Sequence, residues 1–189
     1  MNLIRKILRK IVSLLRSTPL TENQLSQLII ERIRKGGGCV GSNVDILSST
    51  IDLGEPYLIS IGNNVTLTTM RLLTHDASTK KELGYSKVGR VTIGNDVFVG
   101  AGSIILPGTK IGNQVIIGAG SIVASDIPDN SVACGSPCRV ICTYEDYMDR
   151  MKKRMEHYPC FDLFPDDLLG PDSQKERESL ANNGYGFVK

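Results

Sequence analysis

From Ile93 to Pro128 the chain repeats itself every six residues. Each hexad opens on an aliphatic, β-branched residue: Ile93, Val99, Ile105, Ile111, Ile117 and Val123. Second place holds Gly94, Gly100, Leu106, Gly112, Gly118 and Ala124, and fifth place holds Val97, Ser103, Thr109, Val115, Ser121 and Ile127. An α-helix of period 3.6 cannot keep a period of six on one face, and one long strand would alternate at two. The repeat therefore requires short strands joined by corners, which is the signature of a parallel β-helix. Three hexads make one coil, the leading residues stack inside the prism, and the small second residues permit the turns. The fold class is an all-β solenoid.

The register extends upstream with lower regularity. Hexads begin at Val40 and Ile46, the stretch Asp52 to Tyr57 with Pro56 is irregular, and phase returns at Ile61 and Leu67, with Leu73 six further on. The pattern then stops until Val91. Residues 74–90 are polar and are expected to leave the prism as a loop at a corner, because a solenoid tolerates an insertion only there.

The ends are different in kind. Residues 2–16 place Leu3, Ile4, Ile7, Leu8, Ile11, Leu14 and Leu15 on one helical face, with Arg5, Lys6, Arg9, Lys10 and Arg16 over much of the rest. Charges interrupt every apolar run, which excludes a transmembrane span or a signal peptide. Such a helix lies in an anionic membrane interface or docks on protein. Residues 1–35 carry eight Lys and Arg against two acidic residues, a balance of +6, while the remainder carries 14 against 18, or −4. No aromatic stacking platform accompanies the basic end, which argues against a nucleic-acid binder.

Ser17-Thr-Pro19 breaks the first helix. A second starts near Thr21, with Gln24 completing a capping box, turns Leu25, Leu28, Ile29 and Ile33 inward, and stops at Gly36-Gly-Gly38. Its expected role is to cover the open first coil. The divisions are a helical cap over residues 1–36, a prism over 37–142 with its insert, and a C-terminal helix and tail over 143–189. Thr143 opens that last helix, where Tyr147, Met148, Met151 and Met155 form a packing stripe. The tail from Tyr158 is expected to be irregular, anchored by Cys160, Phe161, Leu163 and Phe164. Five cysteines, with Cys134, Cys138 and Cys142 four apart, fit small buried residues in a reducing compartment better than zinc or redox pairs.

The chain has two histidines, His75 and His157. His75 opens the polar insert, where a deep core position is improbable. An imidazole with an ordinary pKa near 6.5 suits proton transfer at neutral pH. His157, on a surface-type helix, reads as structural or solvated.

With the six hexads, the Thr74-His75-Asp76 loop and the closing segment Val132-Ala-Cys-Gly-Ser-Pro-Cys-Arg-Val140, residues 40–142 resemble the hexapeptide-repeat acyltransferases, in particular their sugar and xenobiotic O-acetyltransferase branch. The resemblance implies a left-handed coil, a homotrimer with active sites between prisms, and acetyl-CoA as cosubstrate. It implies His75 as general base for direct attack of an acceptor hydroxyl on the thioester, with backbone amides at the oxyanion. It implies Ala101, Ala119, Ala124 and Ser125 along the pantetheine arm and Arg139 at the nucleotide phosphates. Arg71, Asp76 and Tyr85 become candidates for meeting the acceptor. Two departures stand out: Phe98 replaces a frequent Trp, and Ser125 and Cys142 replace a frequent basic residue. The expected function is O-acetylation of a sugar or polysaccharide precursor in the cytoplasm. Serine, an aminosugar or a xenobiotic are alternative acceptors. A non-catalytic trimeric scaffold is the non-enzyme alternative. A zinc carbonic-anhydrase type would need three imidazoles per site, so no metal is expected.

Overall fold

A computed structural model describes residues 20–162 and 173–189. The helix expected over residues 2–16, its break at residues 17–19, and Leu163 and Phe164 lie outside the described residues. Two compact units divide between Ile141 and Cys142.

The first unit is a three-faced parallel β-helix. One face stacks Cys39–Val40, Ile59–Ile61, Val91–Ile93 and Lys110–Ile111. The second stacks Val44–Leu47, Val65–Thr68, Val97–Val99, Val115–Ile117 and Ser131–Cys134. The third stacks Thr50–Ile51, Arg71–Leu72, Ile104–Ile105 and Ile122–Val123. Every pairing within these faces is parallel, so equivalent side chains form columns: Val40, Ile61, Ile93 and Ile111 on the first face; Ile46, Leu67, Val99, Ile117 and Ala133 on the second; Ile51, Leu72, Ile105 and Val123 on the third. The six leading hexad residues and the six at fifth place are all buried. Burying an aliphatic side chain of this size contributes about 1.5–3 kcal/mol each, and this column is the core.

Two register assignments change. The leading residue after Leu67 is Leu72 rather than Leu73, because in the first two coils the left-handed corner residue, Ser48 or Thr69, comes two positions after the leading residue. In the later coils the corner falls on Gly102 and Gly120, three positions after it. At the other end, Ile127 bridges Ile111, a leading residue, although the hexad count gives it fifth place. The last corner has lost two residues, so the sixth hexad is regular in sequence and truncated in space.

The corner between the first and second faces is held by a ladder of side-chain amides. The backbone N–H and Nδ2 of Asn63 donate to Asn95 Oδ1 at 2.8 and 3.1 Å. Those of Asn95 donate to Asn113 Oδ1 at 2.9 and 3.0 Å, and Asn113 N donates to Asp129 Oδ1 at 2.7 Å. Beside the ladder, Asn43, Asn64, Asp96, Gln114 and Asn130 all take left-handed φ values of 53–57°. That is a conformation Asn and Asp accept more readily than most residues. Gly94 precedes its rung because a Cβ there would lie 2.5 Å from Gly112 O of the next coil.

Helix α1 (Glu22–Lys35) covers the first coil, packing on the strands at residues 39–40 and 44–47. Its capping box forms as expected: Gln24 N donates to Thr21 Oγ1 at 3.3 Å, and Thr21 N to Gln24 Oε1 at 2.9 Å. Its inward face differs from the expectation. Ser26, Ile30 and Ile33 are buried, while Leu25 and Leu28 are 41% and 50% exposed. The reason is polar: Ser26 Oγ accepts the Ile46 N–H at 3.0 Å, and turning Ser26 toward the first coil rotates the two leucines outward.

In the second unit, Thr143 caps helix α3 (Tyr144–Met155), α2 being the short turn Lys80–Leu83 of the insert, by accepting Asp146 N at 3.1 Å. Tyr147, Met148 and Met151 are half-buried, but Met155 is 46% exposed. The described part of the tail is more regular than its composition suggests. Helix α4 (Gln174–Asn183) is followed by Phe187–Val188, which pairs in parallel with Cys160–Phe161. All five cysteines are unpaired. Cys138 is buried and Cys134 and Cys142 half-buried, while Cys39 and Cys160 are exposed, contrary to the expectation of burial.

Candidate active site

The third-to-first corner is where the coils depart from one another. In the second coil it opens at Leu72, and the insert leaves there as a hairpin in which His75–Asp76 pairs antiparallel with Lys87–Val88. The tip is a single helical turn, α2 (Lys80–Leu83), closed by Gly84 at φ 75°. The hairpin rejoins at Gly89, whose N–H donates to Thr74 O at 2.9 Å. Gly89 presses so closely on the third coil that a Cβ would lie 2.4 Å from Gly108 N.

His75 does not stand alone. Its Nδ1 is 2.6 Å from Asp52 Oδ2 and 3.5 Å from Glu55 Oε2. Thr74, fully buried, donates its backbone N–H and hydroxyl to the same Asp52 oxygen at 3.1 and 2.8 Å, and Gly54 N donates to Asp52 Oδ1 at 3.1 Å. Burial pushes the Asp52 carboxyl up. The Thr74 hydroxyl, the Gly54 and Thr74 amides and the His75 charge outweigh it, holding the group below its ordinary 3.8. An ionised Asp52 only accepts, so the proton on Nδ1 points at it and the lone pair of His75 sits on Nε2. The imidazole side chain is 47% exposed, against 11% for Asp52: a fixed base behind, an open nitrogen in front.

In the sequence, Asp52 and Glu55 stand out only as part of an irregular stretch. The signal that finds them is the coil length. Ile46 pairs with Leu67 and Ile51 with Leu72, each 21 residues on, which puts Asp52 beneath Leu73 and beside the His75 loop.

The remaining candidates fall on two edges. Cys138 N donates to Ile122 O at 2.8 Å, seating Cys138 on the Val123 layer and placing exposed Arg139 one coil above Ala124 and Ser125. These three share the third-to-first edge with His75. Ala101 and Ala119, also exposed, lie on the second-to-third edge, stacked through Gly120 N donating to Ala101 O at 2.9 Å. Arg139 Nη1 donates to Cys138 O at 2.8 Å. Arg71 projects from the third face and is exposed. Tyr85 is 79% exposed on the hairpin, with Leu83 and Val88 also exposed. Asp76 is engaged within the hairpin: the Lys87 ammonium at 2.5 Å, followed by the Ser78 amide and hydroxyl, draws its carboxyl down to about 2. That pair staples the hairpin base and leaves Asp76 with little capacity for an acceptor.

Asp52, Glu55 and His75 each offer a ligand atom within 4.8 Å of the others. At 2.6 Å the Asp52–His75 contact is a direct hydrogen bond. Among the described residues, no helix is long and apolar enough to cross a membrane.

Comparison with known proteins agrees with this geometry. Residues 90–125 match the bacterial transferase hexapeptide model (six repeats). Protein CapG of Staphylococcus aureus is 45% identical over 135 residues, 67% of this chain and 78% of CapG. Galactoside O-acetyltransferase of Escherichia coli is 37% identical over 115 residues, 56% of this chain and 57% of that protein. Among solved structures, a maltose O-acetyltransferase from Clostridium difficile 630 superposes with a TM-score of 0.50 at 32% identity, covering 74% of this chain and 85% of that one. A hexapeptide-repeat acetyltransferase from Vibrio cholerae, solved with acetyl coenzyme A, gives 0.51 at 21% identity over 57% and 61%, and shares the fold. With its left-handed parallel β-helix, its six hexads and its CapG-like sequence, the chain belongs to the bacterial hexapeptide-repeat transferase family.

Proposed function

We propose that the protein is an acetyl-CoA-dependent O-acetyltransferase acting on a hydroxyl of a sugar or polysaccharide precursor. The observation that carries this reading is the Asp52–His75 pair, with Nδ1 committed to a largely buried carboxylate on a half-exposed ring. An alcohol is a poor nucleophile at neutral pH, and a base that takes its proton during attack supplies what is missing. Nε2 of His75 accepts the hydroxyl proton as the acceptor oxygen bonds to the thioester carbonyl carbon. The C–S bond then breaks, and the departing CoA thiolate takes the proton back from Nε2. Asp52 holds the ring and stabilises the transient imidazolium without itself becoming protonated. The galactoside and maltose O-acetyltransferases among its relatives support a saccharide acceptor, and the acetyl coenzyme A bound to a structural neighbour supports the donor.

The two edges support a trimer. Ala101 and Ala119 lie on a different edge from His75, so one copy does not bring these small residues beside its own base. A neighbouring prism that faces its second-to-third edge toward the third-to-first edge of the first would complete the site. Five unpaired cysteines fit a reducing cytoplasm.

His75→Ala is expected to lower turnover on a hydroxyl acceptor by about 10² or more while leaving thermal stability close to wild type, since the side chain is half exposed. Steady-state acetyl-CoA consumption checks it. A variant retaining more than about a tenth of wild-type turnover overturns the general-base role.

A further inference from the structure

The last turn of α3 and the residues after it gather Lys153, Arg154, His157 and Tyr158 around one open notch. Arg154 and His157 are held by contacts that involve no carboxylate. The Arg154 guanidinium carbon lies 4.8 Å from the centroid of the Tyr185 ring, with Nη1 3.5 Å from the Tyr185 hydroxyl. Tyr185 is itself fixed edge-on by Tyr158 at 5.0 Å and Phe187 at 5.5 Å. An arginine held by an aromatic face keeps its planar fork of donors free for an anion, whereas one held by a carboxylate has spent them. His157 Nδ1 lies 2.8 Å from Lys153 O. As the donor in that bond it fixes the ring and directs Nε2 away from the helix.

The charges around the notch are one-sided. Among the described residues, no carboxylate is ion-paired with Lys153, Arg154 or His157, and the nearby Asp149 is taken by Lys152 at 3.6 Å. Glu156, exposed at the helix end, is the acidic neighbour in the chain. The carbonyls that would give a helix C-terminus its negative field are also occupied. Glu156 N donates to Lys152 O, His157 N and Tyr158 N to Arg154 O, and His157 to Lys153 O.

We propose that this notch binds a phosphate-bearing group. An ammonium, a guanidinium fork and a phenol form a donor set larger than the two oxygens of a carboxylate can satisfy, and suited to the three or more acceptors of a phosphate, with the His157 ring beside them. The group comes either from a soluble phosphate ester or from a phospholipid headgroup. The binding is a property of the C-terminal unit and does not rest on the acetyltransferase reading.

The test uses the full chain labelled at its histidine rings. With two histidines, one substitution, His157→Gln, assigns both NMR signals. Inorganic pyrophosphate is expected to shift the His157 signal, and Lys153→Ala combined with Arg154→Gln to weaken that response about fivefold or more, with unchanged thermal stability as the control for folding. In a second arm, the same double variant is sedimented with vesicles of phosphatidylglycerol and phosphatidylcholine, and with phosphatidylcholine alone. Loss of binding to the anionic vesicles assigns the phosphate to a lipid headgroup. Unchanged sedimentation together with a pyrophosphate response assigns it to a soluble ester. A His157 signal that pyrophosphate leaves in place, with sedimentation also unchanged, overturns the proposal, as does a pyrophosphate response equal in the double variant.

Discussion

Asp52 decides what His75 can do. Its Oδ2 accepts from Nδ1, from the Thr74 amide and from the Thr74 hydroxyl at once, so the carboxylate is anchored to the scaffold independently of the ring it orients. Asp52→Asn removes the charge but can keep the Thr74 contacts. Its expected effect is a loss of about 10² or more in kcat with KM little changed. A variant with normal kcat would leave Asp52 a purely structural residue. The stability linkage has its own sign. A carboxyl held below its ordinary 3.8 contributes stability that is complete above that value and is lost as pH falls through its lower folded value. Between pH 5 and 8 that contribution is flat, so a rate change in this range does not come from this carboxyl.

At the scale of elements, the corners rather than the strands distinguish the coils. The strands are two to four residues long in the four lower coils, and each pairs in parallel with its neighbour one coil away. The amide ladder at Asn63, Asn95 and Asn113 ties one corner coil to coil. Asn95→Ala leaves the Asn63 N–H and amide without their acceptor. It should cost about 1 kcal/mol and lower the melting temperature by about 2–4 °C; calorimetry measures it, and no change would show that solvent replaces the rung. The hexads made these columns readable, because each inward position recurs at fixed spacing and each corner needs a small or left-handed residue. Legibility failed where a corner changed length: Leu72 displaced Leu73, and Ile127 left its counted place, since periodicity measures distance along the chain and not the tightness of a turn. It failed again at α1, where one serine bonded to Ile46 N outweighed two leucines. Asp52 was invisible for a related reason. Its partner is a coil away, and only the 21-residue length of that coil connects them.

At the scale of the whole molecule, the division of the candidate residues between two edges makes a prediction about assembly. If the site is built between prisms, His75 of one copy works with the Ala101–Ala119 edge of its neighbour. Ala119→Arg fills that edge and is expected to be inactive, as is His75→Ala. Co-refolded in equal amounts, the two variants should recover roughly a quarter of wild-type activity. At each interface the copy supplying the base and the copy supplying the edge are drawn independently, and only one of the four combinations is intact on both sides. Sites contained within single chains would recover nothing, because every chain in the mixture carries one defect. Light scattering on the same mixture ties the result to a trimer: recovery with monomeric mass would place Ala119 outside the site, and mass near three chains without recovery would place both edges in one copy.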